Sequence, residues 1–118
     1  NNTQLRGLAI LIVLRNLSKI TYKFSSMTNI KVTPEEVKEN MQDVIVRTLD
    51  DFGKPCTYVT VRMKNGFTLR ESTTCVDPAN YNEEIGKQIC LEKIEDKVWL
   101  LLGYALQEKQ YQESLKNK

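Results

Sequence analysis

The sequence predicts an α+β fold: an N-terminal helix, an antiparallel β-hairpin, then one long or two shorter C-terminal helices. Three observations carry this reading. Thr33-Pro34-Glu35-Glu36 has the chemistry of a helix start, Asn65-Gly66 lies between two runs rich in alternating β-formers, and apolar residues recur at helical spacing from Ile85 to Ala105. Helices and strands that follow one another in separate blocks pack as α+β rather than as a wound parallel sheet.

The first helix is expected over about 34–52. Thr33 can cap, Pro34 suits the first helical position, and Glu36 completes a capping box at the positive end of the helix. Val37, Met41, Val44, Ile45, Leu49 and Phe52 then recur on one helical face, with Gly53 and Pro55 as the stop. The hairpin occupies 57–74. A two-residue Asn65-Gly66 turn would set Met63 against Thr68 and Val61 against Arg70. A three-residue loop of Lys64, Asn65 and a left-handed Gly66 sets Met63 against Phe67 and Val61 against Leu69 instead. The second register matches apolar with apolar and is the one predicted.

In that register Val59, Val61, Met63, Phe67, Leu69 and Cys75 share a face that packs on helices. Tyr58, Thr60, Arg62, Lys64, Thr68, Arg70, Ser72 and Thr74 share the other. Cys56 and Cys75 fall on opposite faces, which argues against a disulfide between them. After the hairpin, Asp77 or Asn80 is expected to cap a helix whose first turn carries Glu83 and Glu84. Its apolar stripe is Ile85, Ile89, Ile94, Val98, Leu101, Leu102 and Ala105, with Trp99 and Leu100 off it. Either a bend near Glu95-Asp96 makes two helices or one helix buries more than one face. The polar tail from 107 onward is expected to fray. A lone hairpin is marginal in water, so a second subunit is expected to complete the sheet or cover Trp99 and Leu100.

Composition divides the chain into a basic N-terminal extension, 1–26, and a single domain, 27–118. The extension holds Arg6, Arg15, Lys19 and Lys23 and no acid, so of the 17 Lys and Arg 13 remain to face all 15 acids, a net of −2 for the rest. The apolar run 8–14 suits a buried strand or a short helix, and Ile20, Tyr22 and Phe24 alternate as a short strand would. Two readings of 1–26 stand: an extension upstream of a natural start at Met27, or a segment that packs as an extra element or oligomer contact. The run 8–14 falls well short of the ~20 apolar residues of a spanning helix. With an odd cysteine count and no cleavage-site pattern, this points to a soluble cytoplasmic chain with reduced thiols and no membrane partner.

Histidine is absent, which removes the usual general base and the commonest zinc ligand. Cys56, Cys75 and Cys90 have no paired spacing, so no metal site and no cofactor is expected. The adjacent acids at 35–36, 50–51, 83–84 and 95–96 read as helix-terminal or solvated charge. An enzyme is therefore not expected. Two places suit binding. Arg62 and Arg70 lie near-diagonal on the polar hairpin face, with Lys64 and Tyr58 nearby: guanidinium groups hold phosphates in a fork, and a ring offers a stacking surface. A solvated sheet face blunted by charge explains the same residues. Tyr81, exposed between Asn80 and Asn82 at a helix N-terminus, with Lys87 following, suits an anion beside a stacked base. Fixing the angle at which the chain enters the helix is the alternative.

The stretches Lys64-Asn65-Gly66-Phe67-Thr68, Glu71-Ser72-Thr73-Thr74-Cys75-Val76-Asp77-Pro78-Ala79-Asn80-Tyr81, Glu84-Ile85-Gly86-Lys87, Lys97-Val98-Trp99 and Leu102-Gly103-Tyr104 stand in an order and spacing of their own. In these the chain resembles the small phage protein family typified by a coliphage gene 49 product and a Shigella-phage gene 66 product, over roughly 58–107. It departs from that pattern at Tyr81, where phenylalanine is expected, and at Leu100, where proline is usual. In size and layout it also resembles phage sponge proteins that block Thoeris-type immunity. That resemblance implies a homo-oligomer that sequesters a cyclic ADP-ribose-type or cyclic oligonucleotide signal without cleaving it. Tyr81, Asn80, Asn82, Arg62, Arg70 and Lys87 are then the expected ligand contacts. An inhibitor that covers a host defence enzyme or nuclease is the alternative. A weak single-stranded nucleic-acid binder is a third reading, disfavoured because a domain at −2 lacks a basic stripe.

Overall fold

A computed structural model describes residues 30–117. The readings of 1–26 as strand, helix or appended extension lie outside the described residues. Contacts divide the chain after Thr33, and every element named below belongs to the unit Pro34–Lys118. In order these are helix α1 (Pro34–Glu39), strands β1 (Asp43–Asp51), β2 (Lys54–Arg62) and β3 (Thr68–Thr74), a 3₁₀ turn (Pro78–Asn80) and helix α2 (Glu83–Lys116). The strands form an antiparallel sheet in the order β1-β2-β3. The α+β class stands, with one strand more than the sequence suggested.

That strand is a correction. The helix expected over 34–52 stops at Glu39, because Asn40 turns back on it. The Asn40 amide donates to the carbonyls of Glu36 (3.0 Å) and Val37 (3.2 Å), and its side chain donates to Glu36 as well (3.0 Å). The chain then runs extended from Asp43 to Asp51 and pairs residue for residue with Lys54–Arg62. Val44, Ile45, Val46 and Thr48 are β-branched, and such side chains favour a pleated surface. What overrides the helical spacing of the same segment is its immediate partner. Phe52 and Gly53 make a two-residue turn with φ of 57° and 80°, positive at both positions as a type I′ turn requires. The Gly53 amide donates to the Asp50 carboxylate at 2.9 Å. Gly53, read from sequence as a helix stop, is thus a hairpin residue.

The second hairpin forms in the predicted register. Val61 faces Leu69, the Met63 amide donates to the Phe67 carbonyl at 2.7 Å, and Gly66 is left-handed with φ of 91°. Asn65 accepts from the Phe67 amide at 3.0 Å, closing the three-residue loop. On the inner face Thr57, Val59, Val61 and Met63 are buried. Phe67, expected beneath the helices, is half exposed, because it belongs to the loop at the end of the sheet. All three cysteines are free thiols, in agreement with the opposite-face placement of Cys56 and Cys75.

One continuous helix, not two, covers that face. Gly86, Cys90, Ile94 and Val98 form its buried stripe at intervals of four, and Trp99 buries a second side. The expected stripe began at Ile85, which is instead half exposed. Small residues hold the sheet side there because the approach is close: a Cβ on Gly86 would lie 2.3 Å from Thr57 Oγ1 and 2.9 Å from Thr57 Cβ. Asn82, not Asp77 or Asn80, caps α2 by accepting from the Ile85 amide (3.1 Å), while Asp77 caps the 3₁₀ turn through the Ala79 amide (3.0 Å). The segment expected to fray stays helical to Lys116. Its Gln, Glu and Lys residues are good helix formers, and Gln112 donates to Glu108 one turn back at 2.9 Å.

Two stability outcomes follow from this geometry. Gly86→Ala gains helix propensity but meets Thr57, and is expected to destabilise by about 1–3 kcal/mol. In a urea-denaturation double-mutant cycle, Thr57→Ala should recover part of that loss, with a coupling of about 0.5–3 kcal/mol. Phe52→Asn should act in the opposite direction. Asparagine tolerates the left-handed conformation that costs a bulky residue about 1 kcal/mol, so the urea midpoint should rise.

Candidate functional site

Strand alternation separates the residues of interest onto two sides of the sheet. Thr57 points toward α2, and its neighbour Tyr58 toward the open face. The six expected ligand contacts divide along the same line and do not converge on one site.

On the helix side, Tyr81 is half buried rather than exposed. Its hydroxyl sits between Thr48 Oγ1 and Thr57 Oγ1, 2.8 Å from each. Thr48 also donates to the Glu83 carboxylate at the start of α2. Thr57 is the buried polar residue of the core, so this contact supplies the partner that a sequestered hydroxyl needs. The Asn82 side-chain oxygen is taken up by the cap of α2. Asn80 ends the 3₁₀ turn, where its amide donates to the Asp77 carbonyl (2.9 Å), and Lys87 lies on the first turns of α2. Tyr81 and Asn82 therefore tie the chain leading into α2 to the sheet. The reading in which Tyr81 sets the angle of that approach fits its contacts.

The open face carries Arg62 and Arg70, and the register adds Arg47. Arg47 faces Tyr58, Thr60 faces Arg70, and Arg62 faces Asp43 on one side and Thr68 on the other. Each of the three strands thus brings one arginine to this face, and all three are exposed. They are not equivalent. Arg62 is neutralised by Asp43, whose Oδ2 accepts from Nε at 2.8 Å and Nη2 at 2.5 Å. Arg70 donates to the Thr68 hydroxyl at 3.1 Å, a neutral partner, and has no acidic partner among the described residues. Tyr58, between the edge strands, donates its hydroxyl to Asp51, and that hydrogen bond raises its pKa above the usual tyrosine value, with burial and the Asp51 charge adding to the shift. By register the face bears Arg47, Arg62, Arg70 and Lys54 against Asp43 and Asp51. The hydroxyls of Thr60, Thr68, Ser72 and Thr74 stand among them.

Arg47 was missed from sequence because 34–52 reads there as a helix. The signal for a strand there is the run of β-branched residues Val44, Ile45, Val46 and Thr48 around it, and a strand puts Arg47 on one face with Ile45 and Leu49. Among the described residues no cluster of His, Cys, Asp and Glu is arranged to hold a metal ion, and no helix is long and apolar enough to cross a membrane.

A three-stranded antiparallel sheet, covered by a long helix on one face and bearing arginines and hydroxyls on the other, defines a small α+β protein with an exposed cationic sheet surface. The chain belongs to the Phage protein (N4 Gp49/phage Sf6 gene 66) family, whose pattern matches residues 32–110, from just before α1 to well into α2. No curated protein and no solved structure matches it.

The Tyr81 contacts can be tested by removing one atom. Tyr81→Phe should leave the secondary structure intact and lower the unfolding free energy by about 1–3 kcal/mol, since the buried Thr57 hydroxyl loses its partner. Unchanged urea unfolding would mean that the contact does not hold the approach to α2.

Proposed function

We propose that this phage protein counters host antiviral defence by binding a cyclic nucleotide immune signal, of the cyclic ADP-ribose or cyclic oligonucleotide type, and sequestering it intact. The observation that carries the reading is the unequal state of the arginines on the open face. Arg62 is occupied by Asp43, while Arg70 has a neutral partner and Arg47 stands across from Tyr58. Phosphate oxygens suit guanidinium forks, the hydroxyls of Thr60 and Ser72 suit ribose, and the Tyr58 ring offers a surface for a base. The chain has no histidine, the side chain most often used as a general base, which suits holding a ligand rather than hydrolysing it.

The direct test is thermal denaturation against cyclic di- and trinucleotides and cyclic ADP-ribose isomers, followed by chromatography of ligand released on heating. The expected result is stabilisation with intact ligand recovered. Arg47→Ala and Arg70→Ala should each weaken binding about tenfold or more, as for loss of a charge-assisted hydrogen bond. Arg62→Ala should have the smaller effect. No stabilisation across the panel would overturn the reading.

A second reading, inhibition of a host defence enzyme or nuclease by covering it, is favoured by the β1–β2 turn. Phe52 is fully exposed there, with a left-handed backbone. A bulky aromatic in that position serves no packing role in the chain itself, and such outliers gather at functional sites. A protein that ignores the nucleotide panel but co-elutes with a purified host enzyme, and stops doing so as Phe52→Asn, would establish this reading instead.

A further inference from the structure

The two edges of the sheet are built differently. At the β3 edge the strand is the shorter one, α2 covers its inner face, and Glu71 points inward to pair with Lys97 at 2.6 Å. A covered face and an inward charge are among the devices that blunt an exposed edge. β1 has neither along its length, since its inward acid, Asp50, sits at the turn and accepts from the Gly53 amide at 2.9 Å. The strand runs nine residues, holds no lysine or proline, and keeps its register with β2 without a bulge from Asp43 to Asp51. Among the described residues no strand pairs with its other side. Because α2 packs on β2 and β3, apolar residues of β1 stand exposed on both faces: Val44 (43%) on the helix side, Ile45 (49%) and Leu49 (49%) on the open side.

The pairing also dictates which backbone groups are free. The two-residue turn closes on Asp51 and Lys54 as a hydrogen-bonded pair, and such pairs alternate along an antiparallel ladder. The odd-numbered residues of β1 therefore bond to β2, and the N–H and C=O groups of Val44, Val46, Thr48 and Asp50 point away from the sheet. Another extended backbone satisfies such a row.

We propose that β1 is a docking edge for an extended segment of a partner protein, which adds to the sheet as a further strand, antiparallel to β1. Charge selects the partner. A second copy of β1 overlapping it fully would set Arg47 against Arg47 and Asp43 against Asp51. Like charges directly opposite one another are destabilising. Asp43 is already held by Arg62 and Asp51 by Tyr58, whereas Arg47 has no acidic partner among the described residues. The segment that fits carries an acidic residue opposite Arg47, with apolar residues two positions to either side against Ile45 and Leu49. Phe52, fully exposed just beyond the end of β1, lengthens the apolar surface. Arg47 suits a phosphate or a carboxylate, but the outward amides of β1 serve a strand alone, so docking does not rest on the nucleotide reading.

The probe is a labelled peptide as long as β1, with a central glutamate, valines two positions to either side, threonines at the intervening positions and a lysine at each end. Fluorescence anisotropy with the full chain should show saturable binding. N-methylation of the threonine amides, which face β1, should abolish it, while N-methylation of the valine amides, which face away, should not. Arg47→Glu should weaken binding about tenfold or more, as for loss of a charge-assisted hydrogen bond, and should favour a lysine-centred peptide instead. Val44→Pro removes an outward N–H where an edge strand tolerates proline. It should keep the circular dichroism spectrum and any stabilisation by nucleotide, and lose peptide affinity. No binding by the folded chain, equal loss from either methylation pattern, or a dimer whose β1 strands exclude the peptide would each overturn the proposal.

Discussion

The contact on which the fold depends is the approach of Gly86 to Thr57. Helix α2 lies so close to β2 that a methyl group at position 86 has no room. That closeness lets Cys90, Ile94 and Val98 of α2 and Val59 and Val61 of β2 all be buried, with no larger side chain at the head of the stripe to hold the helix off. It also makes Thr57 a fully buried polar residue, which core packing alone would not favour. Tyr81 resolves the difficulty by donating or accepting at the Thr57 hydroxyl while also meeting Thr48. The Cys90 thiol lies 3.9 Å from the Thr57 carbonyl on the same approach, and burial raises its pKa, keeping it protonated. Close packing and polar satisfaction are one arrangement here.

Because α2 covers β2 and β3 on one face of the sheet, the other face is free to carry charge. A helix-covered face selects Thr57, Val59, Val61 and Met63 on β2, and the alternate residues Cys56, Tyr58, Thr60 and Arg62 inherit the open side. The third strand changes that side's character. Without β1, Arg62 would read as a free cation, yet Asp43 of β1 occupies it, and Arg47 of β1 brings a new one. The same strand that removes one phosphate-binding candidate supplies another. Lys97 and Glu71, paired at 2.6 Å, tie α2 to β3 near the rim of the packed face, an exposed ion pair whose contribution is small beside that of the core.

Several features were legible in the residues because they are local. The three-residue loop at 64–66 follows from matching Val61 with Leu69, and the left-handed Gly66 follows from that loop. The start of a helix at Pro34, the helical stripe of the C-terminal segment, the mismatch of Cys56 with Cys75 and the family resemblance were equally legible. Each rests on residues a few positions apart, whose chemistry acts before any distant contact forms. The segment 43–51 defeated the same reasoning. Its apolar residues satisfy a helical period, and its β-branched residues satisfy a strand. Only the availability of Lys54–Arg62 two residues away, through a turn with an aromatic residue in a left-handed position, decides between them.

The sequence by itself therefore determined the class of fold, the register of the second hairpin and the phage family to which the chain belongs. Tertiary structure alone decided the third strand, the continuity of α2 and the separation of Tyr81 and Asn82 from Arg62 and Arg70. The physical reason is that strand pairing and burial are long-range. A residue's face is set by the neighbour it packs against, and a side chain that looks free in the sequence, as Tyr81 and Arg62 do, is committed once that neighbour is in place.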